Sequence, residues 1–372
     1  MVLWISWVLS PQRPMAVFIM DKSSFSDERQ KNRAINWVLT HYKFVKEDGQ
    51  GYYDARKDYL GFFPGEDARY ETDDLSGKSP EELEELAKGY HMAYYADSYG
   101  VHSDVWPEII PSTLPAHQIY GGLEQEDVWF LEHMLQQDKL VVAEFIFLSP
   151  PTSEAIRAQA EEIFGMQWQK WTGKFFHTFN PEIERSVPPW VPVLYESQYD
   201  ERWNPEGSGM IFVHEDGTLV VLQHGKHLNK ANPHIHSSRD IRNEYGMSRS
   251  IPYPGWFDII MPDGGEEEVL SWLEPDLTPE GKMLLSRHGI PHRFPALIRR
   301  SDPGLFYYFA GDFAHSPLKR RFVRAKGSRY AELFFSDLTD LTDKSAYFYA
   351  FYLPVMKNVM REYHAGLPGS GN

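Results

Sequence analysis

Short apolar runs that each stop at a charged residue recur along the first half of the chain. Residues 16–20, AVFIM, run into Asp21 and Lys22; residues 90–96 run into Asp97, Ser98, Tyr99 and Gly100; residues 140–143, LVVA, run into Glu144 and on through Phe145 to Leu148. Short, β-rich, unbroken runs of this kind are what strands covered on both faces look like. Helical patterns separate them. Ser26 with Asp27 and Glu28 predicts a helix start, and Ile35, Val38, Leu39 and Tyr42 follow at i, i+3, i+4 and i+7. Ser79, Pro80 and Glu82 form a capping-box signature with proline at the first helical position, which Gly89 ends. Gly121 and Gly122 open a helix with Val128, Leu131 and Leu135 on one face; residues 153–164 place Ile156, Ala160 and Ile163 on another. The alternation predicts an α/β fold: an open, mostly parallel sheet with helices on both faces.

The pattern changes in the second half. Residues 168–179 are polar-aromatic, residues 210–213 and 218–222 flank Glu215, Asp216 and Gly217, and residues 294–299 and 305–310 flank Asp302, Pro303 and Gly304. The last two arrangements predict hairpins. A short helix starts at Thr278 and stops at Gly289, and a last helix over residues 345–363 carries Pro354, so a kink is expected. Residues 49–74 predict a long surface excursion, Pro107, Pro111 and Pro115 a loop, and residues 365–372 a disordered tail. The expected organisation is a stub over residues 1–14, then one α/β unit over residues 15–364 that turns β-rich from about residue 180. The stub holds the run VLWISWVL, far short of the roughly 20 residues of a membrane span and without the features of a signal peptide. Two tryptophans ahead of a Pro/Arg linker favour the trailing end of a membrane helix over an element packed on the domain.

Composition narrows the chemistry. The 372 residues carry a net charge of −16 with scattered basic residues, which argues against a nucleic-acid partner. There is no cysteine, so thiol nucleophiles, disulfides and cysteine zinc sites are excluded together. Gly-X-Ser-X-Gly, Walker A, dinucleotide and HEXXH motifs are absent. Aromatic residues reach 15%, with 11 Trp; Trp168, Trp171, Trp203 and Trp256 could wall a cleft for a sugar ring, although large aromatics more often fill a core.

The candidate site follows from the strand ends. In open α/β sheets, ligands bind beyond the carboxyl ends of the strands, where strand order reverses. Asp21 with Lys22, Asp97 and Glu144 are expected at one such edge, joined by Asp312 if the strand before it lies alongside. Glu144 is the expected general acid or base, with Asp97 as its partner and Asp21 and Lys22 completing the catalytic set. Tyr99, Ser149, Thr152, Trp171 and Asp312 are the expected ligand contacts. The competing reading is structural: carboxylates that cap helices or pair with Lys22. His224, His227, His234 and His236 crowd one stretch; zinc could use them, but the Lys, Asn and Pro around them favour loop histidines, so neither metal nor cofactor is expected.

The strings FIMDKSSFSDERQKNRAINWVL, YYADSYGVH, IYGGLEQED, VVAEFIFLSPPTSEAIRAQAEEIFGMQWQKWTGKFF and YYFAGDFA together resemble a group of uncharacterised bacterial proteins with the class I glutamine amidotransferase-like fold. The resemblance spans most of the chain and implies an N-terminal membrane helix before the Asp-Lys strand. It brings no activity: the amidotransferase nucleophile is a cysteine, which this chain lacks. The expected function is a membrane-tethered, extracytoplasmic domain that binds or hydrolyses a carbohydrate or cell-envelope polymer. The alternatives are a non-catalytic amidotransferase-like scaffold for a membrane partner and a histidine-dependent metal hydrolase; the alternative location is the cytoplasm.

Overall fold

A ten-stranded sheet runs through the computed structural model, which describes residues 2–26, 31–47, 51–67, 69–103, 117–180, 182–183, 187–265, 267–313, 323–327 and 345–368. Its centre is five parallel strands, ordered Leu60–Pro64, Val17–Asp21, Met92–Asp97, Leu140–Glu144 and Leu305–Phe309. Antiparallel strands continue it on both sides: Tyr70–Asp73 beyond Leu60–Pro64, and Phe294–Arg300, Glu267–Glu274, His234–His236 and Ser250–Pro252 beyond Leu305–Phe309. The fold is the α/β class that the strand–helix alternation predicts.

The unbroken apolar runs are explained by two cores. Val17, Ile19, Tyr94, Ala96, Leu140 and Val142 pack on one face with the helix Arg33–Tyr42 and the C-terminal helix. Phe18, Met20, Ala93, Tyr95, Val141 and Ala143 pack on the other with the helices Pro80–Lys88, Gln125–Gln136 and Glu154–Phe164. Successive residues point to opposite faces, so a strand covered on both sides has no polar position to spare. The Ser79 capping box forms as expected, and Ser153 caps the helix Glu154–Phe164.

The β-rich second half is not merely appended. Met166–Phe176 already belongs to a separate four-stranded antiparallel sheet with Gly209–His214, Leu219–Gln223 and Trp256–Pro262. Both predicted hairpins form, and Leu305–Phe309 inserts beside Leu140–Glu144 as a parallel strand of the large sheet.

Several local expectations need correction. The first α/β helix is Arg33–Tyr42, which begins after Asn32, without a side-chain cap, rather than at Ser26, and Asp27 and Glu28 lie outside the described residues. At the end of the first strand, Asp21 Oδ2 accepts the Asn32 amide, and Ser24 Oγ accepts that of Lys31. The excursion over residues 49–74 contains two strands of the sheet. Gly61 makes this feasible: at φ 138° it lies so close to the Asp21 carbonyl that a Cβ would collide with it. His234 and His236 lie on a strand, not in a loop. In the last helix the expected kink is a π turn over Phe348–Tyr352; Pro354 has no N–H for the Ala350 carbonyl, which accepts from the Ser248 amide instead. Pro107, Pro111, Pro115 and residues 369–372 fall outside the described residues.

The apolar stub is a seven-residue helix, Val2–Val8. Trp7 is buried and donates its indole N–H to the His41 carbonyl, beneath the Lys43 ammonium 5.1 Å from its ring. Val2, Leu3, Trp4, Ile5, Val8 and Leu9 remain exposed. No helix among the described residues is long and apolar enough to cross a membrane.

Candidate functional site

From Val17–Asp21 the chain steps to one neighbour, Leu60–Pro64, and then returns to the other side at Met92–Asp97. The topological switch point therefore lies between the first and third of these strands, the place where open α/β sheets bind ligands. Asp21 pairs in register with Asp97, and Phe309 with Glu144, so the three strand-end carboxylates share one edge; Asp312 follows three residues beyond Phe309.

The carboxylates differ in what they can do. Asp21 is fully buried and accepts from Ser24 Oγ at 2.5 Å, the Asn32 amide at 3.0 Å and the Ser23 amide at 3.2 Å. Burial pushes its carboxyl up to about 6; the Ser24 donor opposes this and the neighbouring Asp97 adds to it. Asp97 accepts from Ser23 Oγ and the Tyr99 amide, both at 2.7 Å. Its second oxygen meets Lys31 Nζ at 3.1 Å, and the same ammonium reaches Asp312 at 3.2 Å. The two carboxylate oxygens thus stand no farther apart than the sum of those distances. Burial alone would favour neutral Lys31, but Asp312 and then Asp97 outweigh it and hold the ammonium above its ordinary range.

This Asp–Lys–Asp bridge forms part of the wall of a cleft of about 410 Å³, whose other lining includes Tyr99, Trp168, Trp190 and Trp256. The size falls within the few hundred to one thousand Å³ typical of small-molecule sites. Trp168 is buried and its indole N–H has no hydrogen-bond partner among the described residues. Trp256 comes from the second sheet; its carbonyl accepts the Asp312 amide at 2.9 Å, which ties the two sheets together at the cleft.

Ile146 also lines the cleft, with φ 63° in the turn after Leu140–Glu144. A β-branched residue there is a genuine backbone outlier. Its amide donates to Asp258 Oδ2 at 2.8 Å, and Asp258 also accepts from Ser149 and Thr172 at 3.0 Å and from Tyr308 at 3.3 Å. Burial raises the Asp258 carboxyl to about 6 against these donors. A strained strand-to-helix turn is where α/β enzymes can present a nucleophile. Here it presents an aliphatic side chain.

Of the residues expected at the site, Asp97, Tyr99, Ser149 and Asp312 line the cleft. Asp21 lies against Asp97 but does not line it. Glu144 is buried and accepts a hydrogen bond from Tyr94, whose hydroxyl also meets that of Tyr352 at 2.8 Å. The geometry therefore does not seat Glu144 as the acid or base facing a ligand. Lys22 turns away from the edge carboxylates and pairs with Asp127 at 2.6 Å and the Gly122 carbonyl at 2.9 Å. Thr152 accepts the Leu123 amide, a local structural role. Trp171 is a core residue, its ring 4.8 Å from that of His214. Lys31, Trp190 and Asp258 escaped the sequence reading. Two carboxylates at one apolar edge demand a cation, which was a signal for Lys31; Trp190 and Asp258 arrive from elements remote in sequence and left none.

No family model matches the chain, and no curated protein matches it. In class it is an α/β protein with a parallel core, and its structural neighbours include proteins of the ThuA-like type. A ThuA-like protein from Parabacteroides merdae is 11% identical, with 80% of this chain and 79% of that one covered and a TM-score of 0.37. Another from Bacteroides uniformis is 10% identical, with 98% and 96% covered and a TM-score of 0.37. A cytoplasmic protein from Salmonella typhimurium is 10% identical, with 94% and 98% covered and a TM-score of 0.35. Likenesses of this size assign no activity, ligand or location to this chain, and the fold rests on its own sheet order.

Proposed function

We propose that this protein binds a hydroxyl-rich, carbohydrate-like ligand in the switch-point cleft. The observation that carries the reading is the Asp97–Lys31–Asp312 bridge set among Trp168, Trp190, Trp256 and Tyr99. Carboxylates accept hydrogen bonds from vicinal hydroxyls, an ammonium donates to ring oxygens, and aromatic faces cover the apolar face of a sugar ring.

Binding is favoured over hydrolysis. A glycoside acid must carry a proton when it meets its substrate. Asp97 and Asp312, which face the cleft, are both paired with Lys31, whereas the carboxyls that burial raises, Asp21 and Asp258, are engaged by backbone and hydroxyl donors beneath it. The turn residue Ile146 offers no nucleophile.

The test is isothermal titration calorimetry against a panel of mono- and disaccharides, with reducing-sugar release followed in parallel. The wild type is expected to bind at least one member without cleaving it. Asp312→Asn and Trp256→Ala are expected to weaken that binding about tenfold or more, a loss of about 1.4 kcal/mol or greater. A panel without any binder, or variants that bind as the wild type does, would sink the proposal.

A further inference from the structure

A second cleft lies at the far antiparallel end of the large sheet and shares no residue with the first. It measures about 510 Å³ and is lined by residues that include Lys230, Lys282, Arg293, His234, His236 and His292. Glu274 and Asp276 lie there too, but Asp276 is engaged by Asn229 at 3.0 Å and by Lys230 at 3.8 Å. Three cations and three histidines in one cleft are unexpected in a chain of net charge −16.

We propose that this cleft is a binding site for a small molecule carrying a phosphoryl group. Two features support an anion rather than a metal. Among the described residues no group of histidines and carboxylates has the geometry to hold a metal ion. The Arg293 guanidinium lies 4.1 Å from the Trp272 ring, a stacked placement that preorganises its fork of donors for phosphate.

The histidines supply an independent readout. His234 and His236 project from the same side of one strand with ring centroids 6.1 Å apart, and His234 Nδ1 meets Ser250 Oγ at 2.8 Å. Burial holds the His234 imidazole below its ordinary pKa; His236 and Lys230 push the same way and Asp276 opposes them. Glu274 is its register partner on the neighbouring strand, and Lys282, His292 and Arg293 complete the charged surroundings. A bound phosphoryl dianion would favour the imidazolium and raise that pKa. The volume of about 510 Å³ leaves room for atoms beyond one phosphate.

The experiment titrates the full chain with inorganic phosphate and pyrophosphate by calorimetry, and follows the histidine signals by NMR. The expected result is a pyrophosphate Kd of about 1 mM or tighter that weakens with salt, together with an upward shift of the His234 pKa. Arg293→Gln and Lys282→Gln, both at exposed positions, should each weaken binding about tenfold with unchanged melting temperature, while Lys88→Gln on a distant helix should not. No binding to the wild type at about 10 mM, binding by both cleft variants equal to the wild type, or a His234 pKa that does not rise would each overturn the proposal.

Discussion

At the scale of single residues, the chemistry depends on which carboxylates have been given a cation. Asp97 and Asp312 share Lys31, whereas Asp258 has, among the described residues, hydroxyl and amide donors only, and its carboxyl is raised to about 6. A folded-state pKa above the unfolded value of about 3.9 means that the native state binds the proton more tightly. The Asp258 contribution is therefore fully present below about pH 4 and is lost as pH rises through about 6. A two-unit shift corresponds to about 3 kcal/mol at most. Asp258→Asn should remove this dependence: the wild-type minus variant unfolding free energy, measured in urea, should fall between about pH 4 and 6 and then level off. A difference that stays constant across that window would contradict the burial-driven shift. Glu144 shows how far one residue could be read from sequence. Its place at the end of a buried run was legible, but its engagement with Tyr94 was not, because that partner is fifty residues away and depends on how the neighbouring strand registers.

At the scale of elements, the legible parts were those whose signal is local. Val17–Asp21, Met92–Asp97 and Leu140–Glu144 each announce themselves as doubly covered strands, and the Ser79 and Ser153 caps fix two helix starts. Leu60–Pro64 and the edge strand Tyr70–Asp73 did not, since short strands in a stretch rich in Gly, Tyr and Asp share the composition of loops. The helix Gln125–Gln136 also supplies what was missing from the reading of Lys22: its Asp127 receives the lysine, so that lysine fastens helix to sheet. Removing one partner of a buried ion pair typically costs about 3–5 kcal/mol. Lys22→Met should accordingly lower stability by about that amount in denaturant melts, while the folded fraction keeps its ligand affinity. Retained stability with an affinity loss of about tenfold would return Lys22 to the binding site.

At the scale of the whole molecule, the cleft exists because two sheets meet. The large sheet brings Asp97 to its switch point, Asp312 lies just beyond the end of Leu305–Phe309, and the small sheet contributes Trp168 and Trp256. Periodicity could place the carboxylates at one edge, but not the wall opposite, because nothing local says how Trp256–Pro262 meets the turn after Leu140–Glu144 and the segment after Leu305–Phe309. The Asp312 amide on the Trp256 carbonyl and the Asp258 amide on the Ala310 carbonyl, at 2.9 and 2.8 Å, are the long-range contacts that decide it. The most direct measurement of the central claim is a crystal structure of the protein soaked with the tightest-binding member of the saccharide panel. The ligand is expected in the switch-point cleft, with hydroxyls within hydrogen-bond distance of Asp97 and Asp312 and a ring face against Trp256. A saccharide bound elsewhere while this cleft stays empty, or one that leaves the Asp97–Lys31–Asp312 bridge untouched, would contradict the account.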